Sequence, residues 1–326
     1  MPSSTSSSEP LRQPSPARAG AAGVSRQLLL GALLVFVLTP ALLEGGTRFG
    51  FLRISTIERR IASEHTAALG LRHDPVQRSV LLVGNSLLLD DVDLEQLRRL
   101  LPKQLRVSRF AIEATWFLDW QYGLRRLFSD GARPDVVVLM LDSTNVVATA
   151  IRGDYSAYYL FNTADIPLLG RELGLTRTAQ SSLLVARYSM FWAGRNNIRA
   201  FITRRVFADY AESLHNLAAP KPHLLSGPGA AQVSAQRLHE AAETVRSFGA
   251  QFVFIVPPGF NQAGERDLLQ GARAAGVTTV VPVPGGTWPA SRFRDGYHLS
   301  AEAAPLFTTQ LAERLAPLLT ERPASR

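Results

Sequence analysis

The chain of 326 residues contains no cysteine, which excludes disulfides, cysteine-ligated zinc and thiol chemistry. The compartment stays open, because exported proteins also lack cysteine. Lysine is scarce, and the net charge of +8 rests on arginines scattered in short pairs such as Arg59-Arg60, Arg98-Arg99 and Arg204-Arg205. Without a recognition motif or a stripe of interleaved basic and aromatic residues, this pattern excludes nucleic acid as an expected partner. It suits solvated helix faces, an anionic polymer or membrane headgroups. His65, His73, His215, His223 and His239 have no companions at metal-ligand spacing, so no metal is expected and no cofactor is implied. Charged residues make up 19% and hydrophobic ones 46%, enough apolar material for one large α/β domain with an appendage.

Residues 1–26 are rich in Ser, Pro, Ala and Arg without periodicity, and read as a disordered tail. Residues 27–43 carry no charge and are mostly Leu, Val, Ala and Phe, a helix of about 25 Å at the short end of what crosses a bilayer. Arg12, Arg18 and Arg26 before it and Glu44 after it place the N-terminus in the cytoplasm. A cleaved signal peptide, with Thr39-Pro40-Ala41 as a poor cleavage site, and a buried core helix are the alternatives. The uncleaved anchor is the expectation, since the apolar stretch exceeds the usual signal-peptide core of roughly 7–15 residues. Residues 44–77 then form a linker with an amphipathic helix carrying Ile54, Ile57, Ile61 and Leu69.

From residue 78 to 320, apolar runs alternate with helical patterns. Strands are expected at 79–83, 105–112, 135–141, 251–256 and 277–281. Helices fit 116–128, 234–248, 262–275 and 301–319, the last with Leu306, Leu311, Leu315 and Leu318 as its apolar positions and Ser300 as N-cap. This βαβ order predicts a parallel sheet in a flavodoxin-like three-layer α/β/α sandwich. Strand signals stop over 146–228, a helical insertion whose Tyr155, Tyr158, Tyr159, Phe161, Phe191 and Trp192 would either line a sugar-binding groove or form an aromatic core. Residues 321–326 read as a tail.

Two stretches carry chemistry. The run at 79–83 stops at Gly84-Asn85-Ser86, placing Ser86 at the carboxyl end of a buried strand, where α/β sheets bind ligands. A serine hydroxyl needs a base to take its proton, and the base needs an orienting acid. Asp295-Gly296-Tyr297-His298 supplies both: three residues separate Asp295 from His298, Gly296 lets the turn bend, and a helix follows. Asp142 is an alternative orienting acid or a turn cap, and Asp90 and Asp91 serve the loop and helix start after Ser86, with Asp93 capping the next helix.

In these blocks the sequence resembles the SGNH (GDSL-like) hydrolase superfamily, whose nucleophile follows the first strand in Gly-Asp-Ser and whose Asp-x-x-His lies near the carboxyl terminus. The resemblance implies Ser86, His298 and Asp295 as catalytic residues, and Asn145, after the strand at 135–141, as an oxyanion donor. Gly84 and Asn85 fall in the first block, with Asn where the common motif has Asp. The family's second block, a glycine whose N–H also serves the oxyanion, meets Arg109-Phe110-Ala111-Ile112-Glu113-Ala114-Thr115, which has no glycine; Glu113 or Ala114 would supply that N–H. With the anchor, the resemblance extends to SGNH-type proteins of polysaccharide O-acetylation and teichoic-acid alanylation. It implies an esterase or O-acyltransferase on envelope or extracellular polysaccharide, working beside a membrane-bound acyltransferase partner. A non-catalytic carbohydrate-binding or assembly module and a lipid-directed esterase or thioesterase are the alternatives.

Overall fold

The computed structural model describes residues 26–74, 76–206, 227–259 and 264–320. Residues 1–25 and 321–326 of the expected tails, His215 and His223 lie outside them, and Arg26 belongs to the first helix. The chain divides into two units, the first ending at Leu43 and the second beginning at Glu44.

Helix α1 (Arg26–Gly45) continues through Pro40, and none of its residues is buried. The helical run Arg26–Ile54 that contains it is long and apolar enough to cross a membrane. A core helix would bury its apolar side chains, and no residue of α1 is buried.

In the second unit, α2 (Thr56–Leu69) precedes β1 (Arg78–Gly84), and α3 (Ser86–Asp91) and α4 (Leu94–Leu100) lead to β2 (Leu105–Ala111). Helix α5 (Phe117–Ser129) precedes β3 (Val136–Met140). There follow α6 (Ser143–Val147), α7 (Asp154–Leu160), α8 (Asp165–Glu172), α9 (Arg177–Tyr188) and α10 (Met190–Val206). Helix α11 (Pro228–Ser247), β4 (Gln251–Ile255), α12 (Glu265–Ala274), β5 (Thr278–Val280) and α13 (Ala303–Thr320) complete the fold. The five strands run in the order β2-β1-β3-β4-β5, every pair parallel. This is the flavodoxin-like doubly wound order, whose ligand crevice lies beyond the carboxyl ends of the strands.

The sheet separates two apolar cores, as the period-2 pleat requires. Leu81, Val83, Phe110, Val137, Leu139 and Phe254 face one side, packed with Ile61, Trp120, Leu238 and Val245. Val80, Leu82, Val138, Met140 and Val253 face the other, against Leu88, Leu97, Phe307, Leu311 and Leu315. Each such side chain taken fully from water contributes roughly 1.5–3 kcal/mol, so both layers are firmly held to the sheet. In α13 the buried stripe is Phe307, Leu311, Leu315 and Leu319, with Leu306 exposed. The i, i+4 spacing from Phe307, a stronger anchor than Leu306, fixes that rotation.

The aromatic residues after β3 divide by burial. Tyr155, Tyr159 and Phe161 are buried in the first core, and Tyr159 packs against Tyr158 and Tyr155 at centroid separations of 4.9 and 5.4 Å. For Tyr155, Tyr159 and Phe161, of the two expected roles, the structure shows the aromatic core.

Candidate active site

β1 and β3 bring the first half of the site together. A Cβ on Gly84 would lie 2.6 Å from the Met140 carbonyl and 3.1 Å from Leu88 Cβ, so the close approach of β1 to β3 and the immediate turn into α3 require glycine. The Gly84 carbonyl accepts from Ile112 N–H at 3.1 Å. Gly84 therefore offers substrate no side chain and acts by packing.

Asn85 is the N-cap of α3: its Oδ1 accepts from Leu87 N–H at 3.0 Å. Its Nδ2 donates to Asn145 Oδ1 at 2.6 Å and to the Thr115 carbonyl at 3.3 Å. The side chain is buried. Its amide is committed internally, so Asn85 positions the turn into α3. An amide at this position can donate to Asn145, whereas an ionised carboxylate would only accept.

Ser86, the first residue of α3, stands half-buried at the end of β1. Across 212 positions of sequence, its Oγ lies 2.9 Å from His298 Nε2. His298 Nδ1 is 2.7 Å from Asp295 Oδ2. The second carboxylate oxygen, Oδ1, accepts from the backbone N–H groups of Tyr297 at 3.0 Å and His298 at 2.7 Å. One carboxylate thus binds ring and backbone together, in a turn made possible by Gly296 at φ +76°. Burial raises the Asp295 pKa, but the hydrogen bonds from the His298 ring, the His298 N–H and the Tyr297 N–H outweigh it and hold the group down at about 2. Asp295 is an anion throughout the neutral range, able to fix the imidazole tautomer and stabilise its cation.

The loop carrying this pair is closed on itself and tied to α3. Phe293 and Leu299 form an antiparallel bridge, and Arg294 N–H donates to the His298 carbonyl at 2.9 Å. Leu299 N–H donates to Asp91 Oδ1 at 2.8 Å. Asp91 is buried, and its Oδ2 has no hydrogen-bond partner. Burial pushes its pKa up to about 8, with the Leu299 N–H opposing and the neighbouring Asp90 charge adding to the rise. Arg294 pairs with Asp90 at 2.5 Å, and Asp90 Oδ2 lies 4.0 Å from His298 Nε2.

Asn145 sits in α6, capped by Asp142, whose Oδ1 accepts from Asn145 N–H at 2.7 Å. Asp142 also bonds to the Tyr297 hydroxyl, and burial raises its pKa. It is a cap and a partner of Tyr297, while Asp295 contacts the imidazole. The Asn145 Oδ1 accepts both from Asn85 and from the Tyr297 hydroxyl, the latter at 3.0 Å. With its oxygen doubly engaged, the amide has Nδ2 left as its donor. Tyr297 is a contributor that the sequence motif passed over, although it adjoins His298.

In the loop after β2, Ala114 has φ +55°, the one non-glycine with positive φ among the described residues. That is the left-handed region glycine favours, so Ala114 occupies a glycine-type backbone position. The Glu113 carboxylate pairs with Arg60 at 2.5 Å and lies 3.9 Å from Arg152, whose Nη1 donates to the Glu113 carbonyl at 2.6 Å. Glu113 is clamped by cations and its side chain is structural.

No group of acidic or histidine side chains among the described residues could hold a metal ion. The arrangement offers a hydroxyl, a base held by an anion, and amide donors, the set used in acyl transfer.

No protein-family model matches the chain, and no curated protein matches it. Among solved structures it is similar to the crystal structure of TesA, at 15% sequence identity and a TM-score of 0.36, over 74% of this chain and 99% of that one.

Proposed function

We propose that this chain is a serine esterase or O-acyltransferase of the SGNH type, acting through Ser86, His298 and Asp295 on acetyl esters of envelope or extracellular polysaccharide. The observation that carries the reading is the continuous relay from Asp295 through His298 to Ser86, with contacts of 2.7 and 2.9 Å. Ser86 Oγ attacks the ester carbonyl carbon as His298 Nε2 takes its proton. The oxyanion is met by Asn145 Nδ2 and by the N–H groups of Ser86 and Ala114, each such donor worth roughly 3–4 kcal/mol. On collapse the C–O bond to the leaving alcohol breaks, and His298 returns the proton to that alcohol. Water or a sugar hydroxyl, deprotonated by His298, then attacks the acyl carbon, and His298 returns that proton to Ser86 Oγ as its bond to the acyl group breaks.

The long apolar helix and the arginines before it support a single-pass anchor in a bacterial-type cytoplasmic membrane, with the catalytic unit outside the cytoplasm. The carbohydrate substrate and a membrane-bound acyltransferase partner rest on the resemblance to anchored O-acetylation proteins. The two departures that favour a non-catalytic module each have a physical reason here: Asn85 caps and donates, and Ala114 adopts the glycine conformation.

Hydrolysis of p-nitrophenyl acetate by the full chain beside its Ser86→Ala form tests the reading. The variant is expected to lose turnover by about 10⁵-fold. Equal rates would refute the serine mechanism, and faster turnover of long-chain esters would move the substrate to lipid.

A further inference from the structure

A second cavity, of about 340 Å³, lies outside the relay and is lined in part by Phe51, Ile57, Phe201, Arg204 and Arg205. Phe51 and Phe201 meet edge to face at 5.3 Å, and the Arg205 guanidinium lies over the Phe201 ring at 4.4 Å. The lining is thus aromatic and cationic together. The acidic groups lining the cavity are already engaged: Glu58 accepts from Tyr155 at 2.6 Å and Asn197 at 2.7 Å, and Glu113 pairs with Arg60. Arg204 and Arg205 have no acidic partner within ion-pair distance among the described residues.

A free guanidinium pair beside apolar rings matches an anionic headgroup joined to a hydrocarbon chain, because the cations favour the anion while the rings take the chain from water. The chain itself favours a lipid source. Phe51 belongs to the helical run Arg26–Ile54, the segment long and apolar enough to cross a bilayer. We infer that this cavity binds an anionic phospholipid, its phosphate on Arg204 and Arg205 and the start of its acyl chain against Phe51, Ile57 and Phe201. Glu113, which also lines the cavity, directly precedes Ala114, so the bound lipid would adjoin the loop proposed to carry an oxyanion donor. Binding does not require Ser86 to be a nucleophile, so the inference stands or falls apart from the proposed reaction.

Native mass spectrometry of the full chain in a neutral detergent, titrated with phosphatidylglycerol, phosphatidylcholine or inorganic phosphate, tests this. Phosphatidylglycerol is expected to bind at least about tenfold more tightly than either alternative. The pair Arg204→Gln, Arg205→Gln and, separately, Phe201→Ala are each expected to weaken it by about tenfold, whereas Arg199→Gln on the same helix leaves it unchanged. The Tm of the arginine variants in the same detergent serves as the folding control and is expected to match the parent. Equal binding of the two lipids, phosphate binding as tight as lipid, or affinity unchanged in both variants would overturn the inference.

Discussion

At the residue scale, Asp295 does the most with one group: a single carboxylate accepts the imidazole N–H and two backbone N–H groups. Replacing it by Asn keeps the size but removes the anion and presents an amide N–H₂ to a donor. Asp295→Asn is expected to lower kcat by about 10³–10⁴-fold with little change in KM, read by steady-state kinetics. Asp91 poses a different question, because its buried carboxyl holds its proton to about pH 8 whereas an unfolded one releases it near pH 4. Between those values only the unfolded chain loses the proton, so the group's contribution to stability falls as pH rises, by up to about 1.4 kcal/mol per unit. Asp91→Asn can still accept from Leu299 N–H and does not titrate. Urea denaturation is expected to show the variant gaining on the parent steadily from pH 5 to 8; parallel curves would contradict the buried, protonated assignment.

At the scale of elements, the strand-to-helix turn at Gly84 decides whether Ser86 reaches His298. Gly84→Ala drives a Cβ against a backbone carbonyl of the paired strand, which cannot move without breaking the ladder. A loss of about 1–3 kcal/mol is expected by urea denaturation. Much of this level was legible in the sequence. The apolar runs at 79–83, 105–112, 135–141 and 251–256 each lie within about one residue of β1 to β4, because a strand buried on both faces leaves an unbroken signal. Helix α11 begins at Pro228, six residues before the expected start, where Gly227 and a proline at N1 mark a helix start that apolar periodicity alone overlooked. Helix α3 was hidden: it is only six residues long, and its cap, Asn85, reads in sequence as part of the serine motif. The glycine-like backbone of Ala114 was equally invisible, since residue type does not encode a φ imposed by tertiary packing. The meeting of Tyr297 with Asp142 and Asn145 depends on the sheet order and could not be read locally.

At the scale of the whole molecule, the folded unit begins at Glu44, before α1 ends. Glu44 accepts from the N–H groups of Met190 and Phe191 at 2.9 and 3.0 Å and from the Ser189 hydroxyl at 2.8 Å, so it caps α10 from far away in sequence. Glu44→Ala is expected to lower stability by about 1–2 kcal/mol, visible as a lower Tm of the full chain in detergent; an unchanged Tm would show that α10 does not need this cap. The doubly wound sheet does the larger work, carrying Ser86 just beyond β1 and Asn145 just beyond β3, and receiving His298 from the loop ahead of α13. The most direct measurement is covalent: the full chain treated with a fluorophosphonate, then analysed by intact mass and peptide mapping. One adduct on Ser86, formed at a rate cut by at least about 10³-fold in His298→Ala, is the predicted result; no adduct, an adduct elsewhere, or a rate indifferent to His298 would contradict the proton relay.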